Sequence, residues 1–505
     1  MTWQRLDNPN GLPLNEAVYE HIRNEICRGV LRGRLPSKNQ AAEAFGVSKV
    51  TIEKAYEQLK AEGYIYAKER SGYFVELDSA LAWRAERAVE QAEQTDHVDD
   101  RTDRTDRTDQ VNDQSDQSDQ PDGLSPAAYD LNTYAVSADS FPFAVWSRLM
   151  RRVMSEEGPA IVGNTPPKGI LALREAIVSY LLKYRGIRAE PEQVVIGAGS
   201  EWIWSLFIQL LGTQRRYAIE NPGYGKVSSI LGAYGVAVSR VGMGEDGIDL
   251  RALRGSLADV VHITPSHHFP LGIIMPIQKR LELLALAAEK DMVIIEDDYD
   301  SEFRFAGRPI PALTGLDNHG RVIYVNTFAK SLAPSLRISY MVLPPALLAH
   351  YERKLSFYAC TVPGFEQHVM ARFLSEGHFA RHFTRMKATY KAKHDALLEG
   401  IAASRLAPDV AITGKSVGLH ILLTLKGGLS ESDMVRRAAQ QGVALRGLSA
   451  FCTAPCAIPA STVVMGFASL DMAGIPDLLR RLERAWLGNR EKRAGSAADG
   501  GRGAD

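Results

Sequence analysis

Three short apolar runs end in small or charged residues, and their order constrains this chain more than any other feature. Val194-Val195-Ile196 leads into Gly197-Ala198-Gly199-Ser200-Glu201. Val293-Ile294-Ile295 leads into Glu296-Asp297-Asp298-Tyr299-Asp300, and Val322-Ile323 with Val325 leads into Asn326-Thr327-Phe328-Ala329-Lys330. Runs that are apolar throughout, rather than alternating, belong to strands covered on both faces, as in parallel sheets. Such strands carry function at their carboxyl ends. Apolar residues at helical period follow the first run, from Trp202 to Leu211, so the chain alternates strand and helix and reads as α/β.

The three strand ends together suit pyridoxal phosphate (PLP). Lys330 would form a Schiff base with the aldehyde, and Arg337, beyond the break at Pro334, would hold the phosphate with nearby hydroxyls. Asp297 could supply the carboxylate that keeps the pyridine nitrogen protonated, which makes the ring a better electron sink. Tyr299, two residues on in an extended chain, faces the same side and could reach the ring oxygen. The glycines before the Trp202 helix let backbone approach an anion at a helix N-terminus. Each segment alone has a plainer explanation: a strand and loop with one lysine, an acidic strand end binding metal or facing solvent, a tight turn. Their combination in this order favours the cofactor.

From about residue 127 to 490 the chain resembles the fold-type I aminotransferases. The landmarks run in order: Gly169 with Leu173-Arg174, Gly199-Ser200, Asn221-Pro222-Gly223-Tyr224, Asp297 with Tyr299, then Thr327, Lys330 and Arg337. The resemblance implies Lys330 as the Schiff-base lysine, Asp297 on the pyridine nitrogen and Tyr299 on the ring oxygen. It implies Thr327, Arg337 and the Gly199 and Ser200 amides on the phosphate, with Tyr224 beside the cofactor or ligand. The departures carry information too. Phe269-Pro270-Leu271-Gly272 stands where these enzymes usually have Asn-Pro-x-Gly, removing one hydrogen bond to the ring oxygen. The arginine that clamps a substrate carboxylate should fall around Val464-Met465-Gly466-Phe467, where Val464 stands. A bidentate arginine is the usual carboxylate partner, so Arg446 is a candidate substitute, with a surface or core-edge role as its plainer explanation. The tyrosine that often precedes Gly169 is absent as well, Asn164 being the nearest match.

The first residues have a different character. Leu14, Val18, Ile22 and Ile26 recur every four positions, which predicts a helix over 14–30. Ser37 can cap a short helix ending at Phe45. Ser48 can cap another that carries Val50, Ile52, Ala55, Tyr56 and Leu59 inward. Tyr64-Ile65-Tyr66 and Tyr73-Phe74-Val75 bracket a polar tip and predict a β-hairpin. Three helices and a wing make a winged helix-turn-helix, whose second motif helix enters the major groove. Gly33-Arg34-Leu35-Pro36-Ser37, Gly46-Val47-Ser48-Lys49-x-Thr51-Ile52 and Glu62-Gly63 resemble the GntR class of bacterial regulators. The resemblance implies DNA contacts from Ser37, Lys38, Ser48, Lys49, Thr51, Lys54 and, on the wing, Arg70 and Gly72. Lysine at 38 and 49, where arginine is favoured, reads guanine less strictly and positions more than it specifies. Residues 1–78 hold 11 Lys+Arg and 11 Asp+Glu, so DNA binding must rest on uneven placement of charge.

Together the halves resemble the MocR/GabR family, a GntR-type domain fused to an aminotransferase-like domain. Glu220-Asn221-Pro222-Gly223-Tyr224, Thr264-Pro265-Ser266-His267-His268-Phe269-Pro270 and Glu296 to Phe303 carry that likeness. The expected architecture is multidomain. It combines a winged helix over 1–78, an acidic low-complexity linker over 79–126 and an α/β PLP-dependent transferase of fold type I, aspartate aminotransferase-like, with a small C-terminal α/β subdomain over 127–490. A disordered tail follows over 491–505. The linker repeats Thr-Asp-Arg and then Asp-Gln and has too few apolar residues to fold. His267 and His268 lack neighbouring ligands at metal spacing and suit a pocket wall, with His268 a candidate effector contact. The four cysteines are scattered, Cys452 and Cys456 have no second pair for zinc, and a reduced cytoplasm fits. No signal peptide or membrane-spanning run is expected. The function expected is a homodimeric transcriptional regulator that binds double-stranded DNA and senses an amino compound, or PLP itself, by Schiff-base chemistry at Lys330. The alternative is a working aminotransferase that carries a DNA-binding domain.

Overall fold

The computed structural model describes residues 13–27, 30–68, 72–76, 127–133, 140–300, 302–305 and 311–488. The expected linker, the C-terminal tail and the wing tip with Arg70 lie outside them.

The first unit holds helices Leu14–Cys27, Lys38–Phe45 and Lys49–Ala61, then a hairpin of Ile65–Lys68 against Gly72–Val75. Local chemistry sets these boundaries. Ser37 closes a capping box with Gln40, and Ser48 accepts from the Thr51 amide. Gly46, at φ 69°, turns the chain out of the second helix in a conformation that glycine adopts without steric cost. Val18, Ile22, Phe45, Ile52, Tyr56 and Leu59 form the core. Val50 does not join it: the side chain is 59% exposed. It lies two residues before Ile52, about 200° round the helix from that buried face.

The second unit is built on an eight-stranded sheet. In spatial order its strands are Val194–Ala198, Ile338–Val342, Val322–Thr327, Val293–Asp297, Val260–Ile263, Tyr217–Asn221, Val238–Gly244 and Gly247–Ile248. The five from Val322–Thr327 to Val238–Gly244 run parallel. Apolar clusters cover both faces of the sheet, as the uninterrupted runs require. A four-stranded antiparallel sheet and the helices His378–Ala403, Glu431–Gln440 and Ile475–Trp486 enclose a separate core. Among the described residues no helix is long and apolar enough to cross a membrane.

The acid-rich stretch after Val293–Asp297 is anchored from below. Arg185 Nη2 lies 2.6 Å from Asp298, both side chains being fully buried, and it donates to Ser266 at 3.0 Å. Tyr324 donates to the same carboxylate at 2.6 Å. The cysteines differ from expectation: Cys452 and Cys456 are joined in a disulfide.

The two units touch. Ile277 of the second unit is buried in the winged-helix core, and its amide donates to the Glu62 carbonyl at 3.1 Å.

Removing one partner of a buried ion pair leaves a charge without compensation. Arg185→Met should therefore cost about 3–5 kcal/mol, read as a lowered thermal unfolding midpoint of the second unit.

Candidate functional site

The parallel pairing of Val322–Thr327 with Val293–Asp297 sets Val325 beside Asp297, so both strands deliver their carboxyl ends to one place. A cavity of about 270 Å³ opens there, lined by Gly199, Ser200, Tyr224, Asp297, Tyr299, Thr327, Lys330 and Arg337. Eight residues singled out from the sequence, spread over nearly 140 positions, thus share one cavity.

Lys330 is the nucleophile candidate, half-buried in the cavity wall. Burial lowers its amine to about 8, against the opposing pull of Asp300. Its Nζ donates to the Thr133 carbonyl. Asp297 faces the cavity and keeps His262 Nε2 at 3.4 Å behind it. Tyr299 stacks on His267 and lies 3.1 Å from its Nδ1. Burial first, and Asp300 second, push the Tyr299 phenol well above its ordinary range.

Gly199, Ser200 and Arg337 form a cradle. Gly199 has φ 89° and stands at the N-terminus of helix Ser200–Leu211. A Cβ on Gly199 would meet the Arg337 guanidinium at 2.1 Å and displace it from this position, and the positive φ itself favours glycine. Arg337 itself has φ 52°, a left-handed backbone costing an L-residue roughly 1–2 kcal/mol. Its guanidinium reaches Glu201 at 2.6 Å. Thr327 Oγ1 stands 2.9 Å from the Ser339 hydroxyl. A helix N-terminus, a guanidinium and hydroxyls facing one gap suit a phosphate. With a lysine shifted toward its free base and a carboxylate on the far wall, these residues fit PLP.

Other expected residues fall elsewhere. His268 is buried behind the cavity, 3.6 Å from Glu220, and burial lowers it to about 3. Glu220 is pushed up to about 7 by burial, although it accepts from Thr264 at 2.7 Å. Arg446 is exposed and is not among the lining residues. Phe269, which replaces the missing asparagine, lines the cavity and packs with Val464, Leu422, Leu448 and Phe451. Thr133, Lys226, Asp300, Asn326 and His420 also line it, and sequence patterning had not singled them out. Asp300 had a signal in the acid run, whereas Thr133 and His420 had none.

On the winged helix, Ser48, Lys49 and Lys54 are exposed, and Thr51 is half-buried on the same helix. Lys38 is instead engaged by Glu53 and lies 5.7 Å from the centre of the Tyr73 ring. Arg34, absent from the expected contacts, is exposed and packs beside Gly72 at the wing.

Residues 14–75 match the family model of bacterial regulatory proteins, gntR family, and residues 130–482 match aminotransferase class I and II. The uncharacterized HTH-type transcriptional regulator YdeL of Bacillus subtilis is 34% identical over 94% of this chain and 97% of its own. The probable rhizopine catabolism regulatory protein MocR of Rhizobium meliloti is 32% identical over 95% of each chain. A kynurenine aminotransferase from Pyrococcus horikoshii, solved with PMP, superposes with a TM-score of 0.63 at 27% identity, covering 72% of this chain and 91% of that one. Winged helix and cavity together define a DNA-binding regulator with a PLP-binding, aminotransferase-like unit. The chain belongs to the MocR-type regulators of the GntR family.

The lowered Lys330 amine has a direct readout. It is mostly free base above about pH 8 and protonated below. Covalent labelling of Lys330 by an amine-reactive reagent, followed by mass spectrometry, should reach half its maximal rate near pH 8, whereas exposed lysines follow their ordinary value.

Proposed function

We propose that this chain represses or activates transcription according to what occupies the cavity at Lys330, either an amino compound or PLP itself. The juxtaposition that carries this reading is a half-buried amine lowered to about 8 that lines one cavity with Asp297 and the Gly199–Arg337 cradle, in a chain that also carries a winged helix. The division proposed is a DNA-binding unit over 1–78, a linker over 79–126, a sensing unit over 127–490 and a tail beyond.

When bound, PLP supplies an aldehyde that condenses reversibly with amines. Lys330 would hold it, Asp297 would face the ring nitrogen and Tyr299 the ring oxygen. The Gly199 and Ser200 amides, Thr327 and Arg337 would hold the phosphate, and Tyr224 would wall the ring. Arg337 would exchange its contact with Glu201 for that anion. The aromatic and aliphatic wall of Phe269, Val325 and Leu419 limits water around the lysine, which favours its free base.

An effector carboxylate would need a cation. Arg446 pairs directly across from Val464 in antiparallel register, and opposed residues project from one face of a sheet. Arg446 stands exposed outside the cavity lining, so a clamp there would require its side chain to swing inward. His268, behind Glu220, would then act as wall rather than contact.

On DNA, Ser37, Ser48, Lys49, Thr51 and Lys54 would meet phosphates or bases, with Gly72 and Arg70 at the wing. Lys38 would contribute less, being engaged by Glu53, and Arg34 would add a cation beside the wing. Val50, exposed on the same helix, suits apolar contact with a thymine methyl. A homodimer is proposed, supported by large exposed side chains on the sensing unit: Phe143, Val162 and Phe357.

The test of the cavity is absorption with PLP. Wild type should gain a visible absorption band that Lys330→Ala lacks, and a panel of amines should then shift it. A wild type without a band sinks the proposal. On the DNA side, Lys49→Ala should weaken binding across sequences and lower the slope of log affinity against log salt by about 1.

A further inference from the structure

The two units are joined twice: by the chain between residues 76 and 127, and by a buried contact. Glu62 directly follows the third helix of the winged helix-turn-helix and caps it. Its carbonyl accepts from the Ile277 amide at 3.1 Å. Gly63, at φ 76°, lies so near Pro276 that a Cβ there would come within 2.9 Å of the proline ring. The Glu62 carboxylate accepts from Tyr19 at 2.5 Å and from Gln58 at 3.0 Å, and Arg304 Nη2 of the second unit approaches it at 3.8 Å. Both side chains of that ion pair are buried. Burial pushes the Glu62 carboxyl upward and Arg304 opposes that shift, so the guanidinium favours the charged form.

Arg304 is tied to the cavity from two sides. Upstream on its own segment, Asp300 lines the cavity and pairs with His267 at 2.9 Å. Across from it, Arg304 forms an antiparallel bridge with Val417, and the Gly418 amide donates to the Phe303 carbonyl at 2.9 Å. Beyond Val417 and Gly418, Leu419 and His420 line the cavity. The stitch packs on the same histidine: a Cβ at Gly418 would lie 1.9 Å from His267 Cε1. A shift of the His267–Asp300–Tyr299 wall therefore cannot leave the 303–304 and 417–418 stitch where it is.

We infer that the state of the cavity reaches the DNA-reading helix through the Arg304–Glu62 ion pair, not through the connecting chain. The inference rests on PLP binding at Lys330. A buried carboxylate is costly without its cation, so a small displacement of Arg304 changes which packing of the third helix is stable. A cavity ligand biases the DNA-binding unit to the extent that it favours one packing over the other.

The experiment is hydrogen exchange on the full-length protein with and without PLP, with the PLP absorption band recorded on the same samples. In wild type, PLP should change the exchange rate of peptides covering Tyr56–Tyr66 by about fivefold or more. Arg304→Ala and Glu62→Gln should keep the band and lose that response. Glu62→Gln keeps the shape of the side chain, which guards against simple unfolding of the unit. A variant with residues 90–120 replaced by a Gly/Ser chain of equal length should respond like wild type. The inference is overturned by a full response in Arg304→Ala, by loss of response in the linker variant, or by a wild type that shows the band and no response. A wild type with no band defeats the underlying function, and this route with it.

Discussion

A single buried guanidinium, that of Arg185, fixes the segment on which the site is built. Glu296 to Glu302 holds five carboxylates in seven residues, a stretch that would repel itself if it were buried without partners. Each acid has its own arrangement. Glu296 accepts from the amides of Leu313 and Thr314 at 2.7 and 2.8 Å. Asp298 takes Arg185 and Tyr324, Asp300 takes His267, and Glu302 accepts from Tyr180 at 2.5 Å. Because Asp298 points down to Arg185, its neighbours Asp297 and Tyr299 are left to face the cavity. The chemistry at the surface of the site is a consequence of the electrostatics beneath it.

The opposite wall follows a different rule, that of close approach. Arg337 lies across the mouth of the phosphate cradle in the space a side chain at Gly199 would take, and the left-handed backbone at Arg337 follows the short turn Pro334–Leu336. One wall is fixed by charge pairing at depth and the other by the absence of an atom. Between them Lys330 sits where burial, not a neighbouring cation, lowers its amine.

Much of this was legible in the sequence, and the reasons are specific. The strands Val194–Ala198, Val293–Asp297 and Val322–Thr327 declare themselves because burial on both faces needs continuous apolar runs. Lys330, Asp297 and Gly199 stand out together, because a glycine-lined helix start, a carboxylate and an amine follow apolar strands in the order a phosphate-bearing aldehyde cofactor needs. Ser37 and Ser48 are visible as caps because capping is local. Partnerships across long separations were not legible. Nothing near Asp298 indicates that its cation is Arg185, and nothing near Glu62 indicates Arg304, because apolar periodicity encodes which face is buried and not what it is buried against. Val50 was misplaced for a related reason: an apolar side chain on a helix need not share the phase of the core. The disulfide between Cys452 and Cys456 was missed because cysteines were weighed as metal ligands and by compartment.

Ile277 closes the core of the winged helix from outside that unit. A reading head that borrows part of its interior from its sensor is not an interchangeable cassette. The packing of helix Ile277–Lys290 and that of the winged-helix core constrain one another, because a change of side-chain volume at Ile277 is felt by both. A chimera that joins this DNA-binding unit to a relative's sensor inherits its specificity only where the borrowed residue travels with it.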